Sequence, residues 1–238
     1  MQFTAPEIWP ETKEDALAAQ KDDAGRVSLL SHLNDVKLVG AVDTAYGTNC
    51  EIIYAAAVVV SFPELDVLER TYYYKTVNFP YVPGLFFYRE GPAMLGALAK
   101  LQHEPDLIVV HGHGIAHPRR CGIACQIGLV VDRPTIGCAR KLLTGQHRPV
   151  PPARGSYQPI VLKSREIGWA YRSKDNVKPI FISPGHRCDL PQAREMIVKN
   201  MRGFRLPEPL RLAHLYANKF RRRTEQRNKV SITGETGE

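Results

Sequence analysis

The chain has 238 residues, 44% hydrophobic and 24% charged, with a formal net charge of +8 at pH 7. No apolar run reaches the roughly 18 residues that cross a bilayer, and the opening MQFTAPEIWPETKEDALAAQKDD lacks the basic-then-apolar order of a secretion signal, so a cytoplasmic protein away from membranes is expected. Five cysteines, an odd number in a chain large enough to bury a core, read as reduced thiols rather than disulfide staples, and the basic surplus points towards phosphate-bearing partners without naming one.

Residues 12–33 have a helical rhythm, with Ala16, Leu17, Val27, Leu29, Leu30 and Leu33 set among charges. Three strands are expected next: LVGAVDTAYG (38–47), EIIYAAAVVVSFP (51–63) and LDVLERTYYYKTVN (65–78). Each is rich in β-branched or aromatic residues between Gly, Asn or Pro punctuation, and their short connections favour an antiparallel meander. After FPYVPG, the segment GPAMLGALAKLQ (91–102) predicts a helix with Pro92 in its first turn. DLIVVHG (106–112) reads as a buried strand, CGIACQIGLVV (121–131) as a helix and PTIGCARKLL (134–143) as a strand. QPIVLKSREIGWAYRSK and PIFISPG add strands. DLPQAREMIVKNMRG is a helix with Asp189 as N-cap and Gln192 at the capping-box position, ended by Gly203. The expected organisation is α/β: one domain over residues 1–217 built on a mixed sheet with helices on both faces, then a basic, disordered tail over 218–238.

Three polar residues interrupt apolar runs. Asp43 ends Leu38-Val-Gly-Ala-Val42, where a buried charge is expensive unless paired or bound to metal. Glu90 follows Leu85-Phe-Phe-Tyr-Arg89 just ahead of the expected helix, and His111 closes Leu107-Ile-Val-Val110 as Asp43 closes its own run. A turn residue for Asp43 and a helix N-terminal acid for Glu90 are the alternatives. Because adjacent strand ends in an α/β sheet converge on one site, Asp43, Glu90 and His111 are candidates for a single metal pocket. The stretch HGHGIAHPRRCGIAC (111–125) holds three histidines and two cysteines. Cys121 and Cys125 sit four apart beside Ile123, Ala124 and Ile127, on what reads as a helix core face rather than a zinc cage.

VGAVDTAYG, PYVPGLFFYREGP, DLIVVHGHGIAHPRRCGIACQIGLVVDRPTIGCARKLL, SPGHRCDL and GFRLPEPLRLAH follow one another in the order of the endonuclease V family, which the chain resembles from about residue 15 to 215. The resemblance implies a ribonuclease H-like fold and a DNA-repair nuclease with Mg²⁺ or Mn²⁺ as cofactor; a monomer is expected. It would hydrolyse the second phosphodiester bond 3′ to inosine in DNA or RNA, leaving a 3′-hydroxyl and a 5′-phosphate. Asp43 and Glu90 match two of the family's three metal carboxylates. Tyr81, in Pro80-Tyr-Val-Pro83, matches the wedge that enters where the base leaves the stack. The resemblance counts Pro83 with Tyr81 among substrate-binding residues, assigns Gly84, Gly112 and Gly114 to the base pocket, and sets His117, Arg119 and Arg120 in a motif facing the substrate backbone, a solvated basic face being the alternative for the two arginines.

Two positions depart from the family pattern. His111 stands where the third metal Asp is expected, and Arg140 where a catalytic-site lysine is expected; Lys141 beside it would point elsewhere in a strand. Replacing a carboxylate by imidazole removes a negative charge from the metal, a change of about 4 kcal/mol for a unit pair at ~4 Å and an effective dielectric near 20. Imidazole also suits Mn²⁺ or another transition metal better than Mg²⁺. Three outcomes follow: a nuclease with His111 as a nitrogen ligand; a relative that binds inosine-containing nucleic acid with little cleavage; or another metal-dependent hydrolase on the same fold. The expected catalytic set is Asp43, Glu90, His111 and Arg140, with the first three holding the metal.

Overall fold

The computed structural model describes residues 1–31 and 33–234, with 228–234 as backbone only, so 235–238 of the expected tail lie outside the described residues. The side chain of Thr12 caps α1 (Lys13–Arg26) by accepting the Asp15 N–H at 3.1 Å. The helix is shorter than the rhythm to residue 33 suggested. Val27 and Leu29 lie beyond its end and pack on the buried pair Cys121 and Cys125.

The meander forms as expected: β1 (Leu38–Tyr46), β2 (Ile52–Ser61) and β3 (Val67–Thr76) pair antiparallel. Every residue of β2 from Ile53 to Val60 is buried, which is why that strand reads as an unbroken apolar run. The next helix, α2, spans Phe86–Leu98 rather than 91–102. Phe87, Gly91, Met94, Leu95 and Leu98 are buried along one stripe, so the apolar repeat reaches back through the aromatics. Pro92 is therefore interior, where it removes the N–H that would reach the Tyr88 carbonyl. Glu90 lies inside the helix, and the N-terminal dipole no longer accounts for it.

The remaining elements are β4 (Leu107–His111), α3 (Ile123–Val131), β5 (Thr135–Ala139), β6 (Tyr157–Leu162), β7 (Arg165–Tyr171), β8 (Ile180–Pro184), α4 (Leu190–Lys199) and α5 (Glu208–Gly234). The Asp189 carboxylate accepts the Gln192 N–H at 2.8 Å to cap α4, which closes at Asn200, three residues before Gly203. All eight strands share one sheet in the order β3-β2-β1-β4-β5-β8-β7-β6. β1, β4 and β5 run parallel and the rest antiparallel. Pro159 is tolerated because β6 is an edge strand.

Strand alternation sorts the core into two layers. Val42, Ala55, Ala57, Ile108 and Val110 pack with residues of α1, α2 and α3. Val39, Ala41, Val58, Leu107, Val109, Ile136 and Cys138 pack with residues of α4 and α5. Odd positions of β1 and β4 thus face α5 and even positions face α2. Among the described residues no helix is long and apolar enough to cross a membrane.

The segment expected as a loose tail from 218 continues α5 as far as Gly234. Leu210, Ala213 and Ala217 are fully buried at helical spacing, and one turn on, Phe220 stacks among Tyr54, Tyr72 and Tyr74 with ring centroids 5.5, 5.1 and 6.3 Å away. The run of charges around Phe220 concealed this anchor. Phe220→Ala should lower unfolding free energy in urea by about 2 kcal/mol, the scale for burying one such side chain. An unchanged urea midpoint would mean that this part of the chain does not hold to the sheet.

Candidate active site

The parallel pairing of β1 with β4 places Val42 beside Val110, so the next residues, Asp43 and His111, emerge as neighbours on the α5 face. Asp43 is 1% exposed. Its Oδ1 faces His111 Nδ1 at 2.6 Å and accepts the Thr44 N–H at 2.7 Å, while its Oδ2 faces His214 Nδ1 of α5 at 2.8 Å. One carboxylate therefore joins two imidazoles from different elements. Glu90 approaches from the other face: its Oε2 accepts Thr44 Oγ1–H at 2.9 Å and its Oε1 accepts Tyr46 O–H at 2.7 Å. Thr44 thus touches both carboxylates: the ends of the central strands β1 and β4 set Asp43 beside His111, and Thr44 links Asp43 to Glu90 of α2.

Electrostatics follow from this packing. Burial alone would raise the Asp43 carboxyl, but the charge and hydrogen bond of His111, with those of His214, outweigh it and hold the group at about 2. Burial presses His111 down, yet the Asp43 carboxylate more than reverses this and leaves the imidazole raised; the nearby Arg140 opposes. Glu90 is raised by burial and by Asp43, against the hydrogen bonds from Tyr46 and Thr44.

His214 is the site residue that sequence reasoning missed. Its signal was present: in Leu210-Arg-Leu-Ala213-His214-Leu-Tyr-Ala217 it is a polar residue beside the buried stripe of an amphipathic helix.

A cleft of about 440 Å³ opens beside these groups, lined by Tyr81, Gly84, Phe86, Phe87, Glu90, His111, Gly112, His113, His117, Ile123, Arg140 and Lys141 among others. Both cations line it because β5 stops at Ala139, so strand alternation does not turn Lys141 away from Arg140. Tyr81 is 63% exposed, its ring 5.3 Å from Phe86. Pro83 is exposed outside the cleft lining. Gly112 lines the cleft, whereas Gly114 is packed so tightly that a Cβ would lie 1.8 Å from the Pro184 carbonyl oxygen.

His117, which lines the cleft, and Arg119 are also engaged with the protein's own backbone. The Gly84 carbonyl receives three donors: Gln20 Nε2 at 2.9 Å, His117 Nε2 at 2.9 Å and Arg119 Nη2 at 3.0 Å. Gln20 also donates to the Cys121 carbonyl at 2.7 Å, and its own oxygen accepts from Arg119 Nε. Burial, assisted by Arg119, lowers His117 to about 4, so it is neutral and donates through Nε2 while Nδ1 accepts the Arg119 N–H at 3.2 Å. These side chains hold the loop behind Tyr81, where Gly84 has φ +82° and no room for a side chain. Arg120 is half-buried outside the cleft lining.

Cys121 and Cys125 are free, buried and packed with Ile115. Among the described residues no three His, Cys, Asp or Glu side chains stand ready to hold a metal ion. The donor chemistry still suits one. A carboxylate offers about four lone-pair positions, so Asp43 Oδ2 and both Glu90 oxygens each keep one beyond the bonds described, and His111 keeps Nε2.

Carboxylates and imidazoles that can hold or move protons, beside two cations that can receive a phosphate, define a phosphate-ester hydrolase. The Endonuclease V family profile matches residues 22–215. The endonuclease V of Gloeobacter violaceus is 39% identical over 96% of this chain and 93% of its own length. The crystal structure of Streptomyces avermitilis endonuclease V superposes with a TM-score of 0.86 at 37% identity, over 94% of this chain and 100% of that one. The fold is also that of Ciona intestinalis endonuclease V, solved with a 24mer DNA containing an inosine followed by a ribo-adenosine (TM-score 0.78, 24% identity, 90% and 100% covered). The chain belongs to the endonuclease V family, and its α/β fold is the ribonuclease H-like one. It is thereby an endonuclease, a phosphodiesterase.

The Asp43–His111 pair makes stability depend on pH. Asp43, lowered from 3.8 to about 2, contributes about 2 kcal/mol that is present above pH ~4 and lost as pH falls towards 2. His111 is raised above its ordinary 6.5, so its contribution is full below about 6.5 and lost as pH rises through its folded value. Urea unfolding in a chelator should show the pair's stabilisation greatest between about pH 4 and 6.5. His111→Asn should remove the alkaline decline, and an identical decline in that variant would assign it elsewhere.

Proposed function

We propose that this endonuclease hydrolyses the second phosphodiester bond 3′ to a deaminated base, inosine, in DNA or RNA. A divalent ion would be held by Asp43, Glu90 and His111, with Mn²⁺ or another transition metal favoured over Mg²⁺. The observation that carries the reading is that Tyr81, Glu90, His111 and Arg140 line one cleft. The inosine-containing DNA bound by the Ciona relative supports the choice of lesion.

In this reading Tyr81 wedges into the stack, which is easiest at a weakly paired or single-stranded base. The Gly84 clamp keeps the wedge loop from moving as it enters. Phe86, Phe87 and Ile123 offer the extruded base an apolar wall, and Gly112 gives it close backbone approach. Arg140 and Lys141 draw the phosphate backbone towards Glu90 and His111. The ion, when bound, supplies neutralisation of the phosphate charge and activation of water. Asp43 fixes the rings of His111 and His214 through their Nδ1 atoms, leaving His111 Nε2 as the nitrogen donor.

A second reading has its own support. With Asp43 bonded to two imidazoles and no three ligands in position, the protein would bind inosine-containing strands and cleave them poorly.

Oligonucleotides of DNA and of RNA with one inosine, incubated in Mn²⁺ or Mg²⁺, separate these readings. We expect cutting at the second bond 3′ of inosine, at least tenfold faster in Mn²⁺, with His111→Asp restoring rate in Mg²⁺. Tight binding without cutting, converted to cutting by His111→Asp, would establish the second reading. No preference for inosine over guanine in binding or cleavage would overturn both.

A further inference from the structure

Gln20 reaches the cleft from α1 and is 1% exposed. Its amide is engaged at both ends: Nε2 donates to the Gly84 carbonyl at 2.9 Å and to the Cys121 carbonyl at 2.7 Å, while Oε1 accepts from Arg119 Nε. A primary amide carries both N–H donors on one nitrogen, so the pattern fixes which atom is which; turned over, its oxygen would face two carbonyl oxygens. Because one nitrogen reaches both, the two carbonyl oxygens are held within about 6 Å of each other.

The two carbonyls belong to different segments beside the cleft. Gly84 lies between Tyr81 and the pair Phe86 and Phe87, and Cys121 precedes Gly122 and Ile123; all but Cys121 line the cleft. The second segment is locked to the exit of β4. Gly122 N–H donates to the Gly114 carbonyl at 3.0 Å, Ala124 N–H donates to the His113 carbonyl at 3.1 Å, and a Cβ on Gly122 would lie 2.2 Å from the His113 carbonyl oxygen. The start of α3 is thus fixed against the strand end that carries His111, and Gln20 ties the Tyr81 loop to that frame. His117 and Arg119 meet the Gly84 carbonyl from the turn before Cys121, whereas Gln20 joins it to the Cys121 carbonyl and to α1.

We propose that Gln20 is a positioning residue for base selection: by fixing the spacing between the Gly84 loop and the Cys121–Ile123 turn, it sets the width of the slot that takes the extruded base, and with it the preference for inosine over guanine. This role rests on the proposed function for the base as occupant of the cleft, but neither on cleavage nor on the metal. Hypoxanthine is guanine without the exocyclic 2-amino group, so a slot that cannot widen rejects the larger base, and one that can widen loses the distinction. Attraction of Arg140 and Lys141 for the phosphate backbone carries no sequence information, so it does not depend on the slot.

The test is equilibrium binding of the whole protein, in a chelator, to fluorescent single strands that differ only in having inosine or guanine at one position. Gln20→Glu changes a single atom group: the carboxylate still accepts from Arg119, yet it donates to neither carbonyl. The ratio of inosine to guanine affinity should fall about tenfold, on the scale of one hydrogen bond, with affinity for the guanine strand within about twofold of wild type. Gln20→Met, of similar length and with no charge to bury, should lower the ratio in the same direction and takes the place of Gln20→Glu if that variant does not fold. An unchanged ratio in a folded variant overturns the role of Gln20 while the inosine reading stands. Equal losses on both strands would make Gln20 a support of the fold alone and overturn it as well. A wild-type protein without inosine preference removes the base reading, and this role with it.

Discussion

The site depends on one carboxylate held between two imidazoles. Asp43 is buried at the end of β1, where an unpaired charge would be expelled or neutralised. Hydrogen bonds to His111 and His214 keep it ionised, and it in turn fixes both rings. A strand of the sheet centre and the long helix over it are thereby tied together at the point where chemistry is expected. Glu90, on the other side of β1, is bound to the same strand through Thr44 and Tyr46. The protein positions its acidic groups from both faces of one strand, with α2 and α5 as supports.

A second constraint holds the loop that brings Tyr81 to the cleft. Three donors on the Gly84 carbonyl fix the loop that carries Tyr81, and one of them, Gln20, comes from α1, outside the stretch matched by the family profile. A buried carbonyl with that many donors has little freedom to move without leaving polar groups unpaired. The chain thus combines a rigid rim with a site whose polar groups are already engaged with each other. Ion binding would have to rearrange the latter and leave the former in place.

Much of the sheet was legible because its strands are continuous apolar runs cut off by single polar residues. Asp43 and His111 were visible for that reason, and parallel pairing of their strands made them neighbours. The start of α2 was not, because Leu85 supplies no side-chain cap and the aromatics before Glu90 suit strands as well as helices. His214 escaped because one histidine beside an amphipathic stripe leaves no periodic mark. His117 and Arg119 carry polar types that suit a substrate face, and only their distances to Gly84 reveal the clamp. The basic composition beyond residue 217 concealed one aromatic anchor, Phe220, which holds helix α5 against the meander.

The central proposal is that His111, which the sequence resemblance sets at a carboxylate position, would give the divalent ion a nitrogen ligand. Pulsed electron paramagnetic resonance of Mn²⁺ bound to the whole protein with an uncleavable inosine-containing strand reads this directly. The account predicts ¹⁴N modulation from a directly bound imidazole, diminished in His111→Asp. Mn²⁺ spectra without nitrogen coupling, or with the same coupling in both proteins, would contradict it.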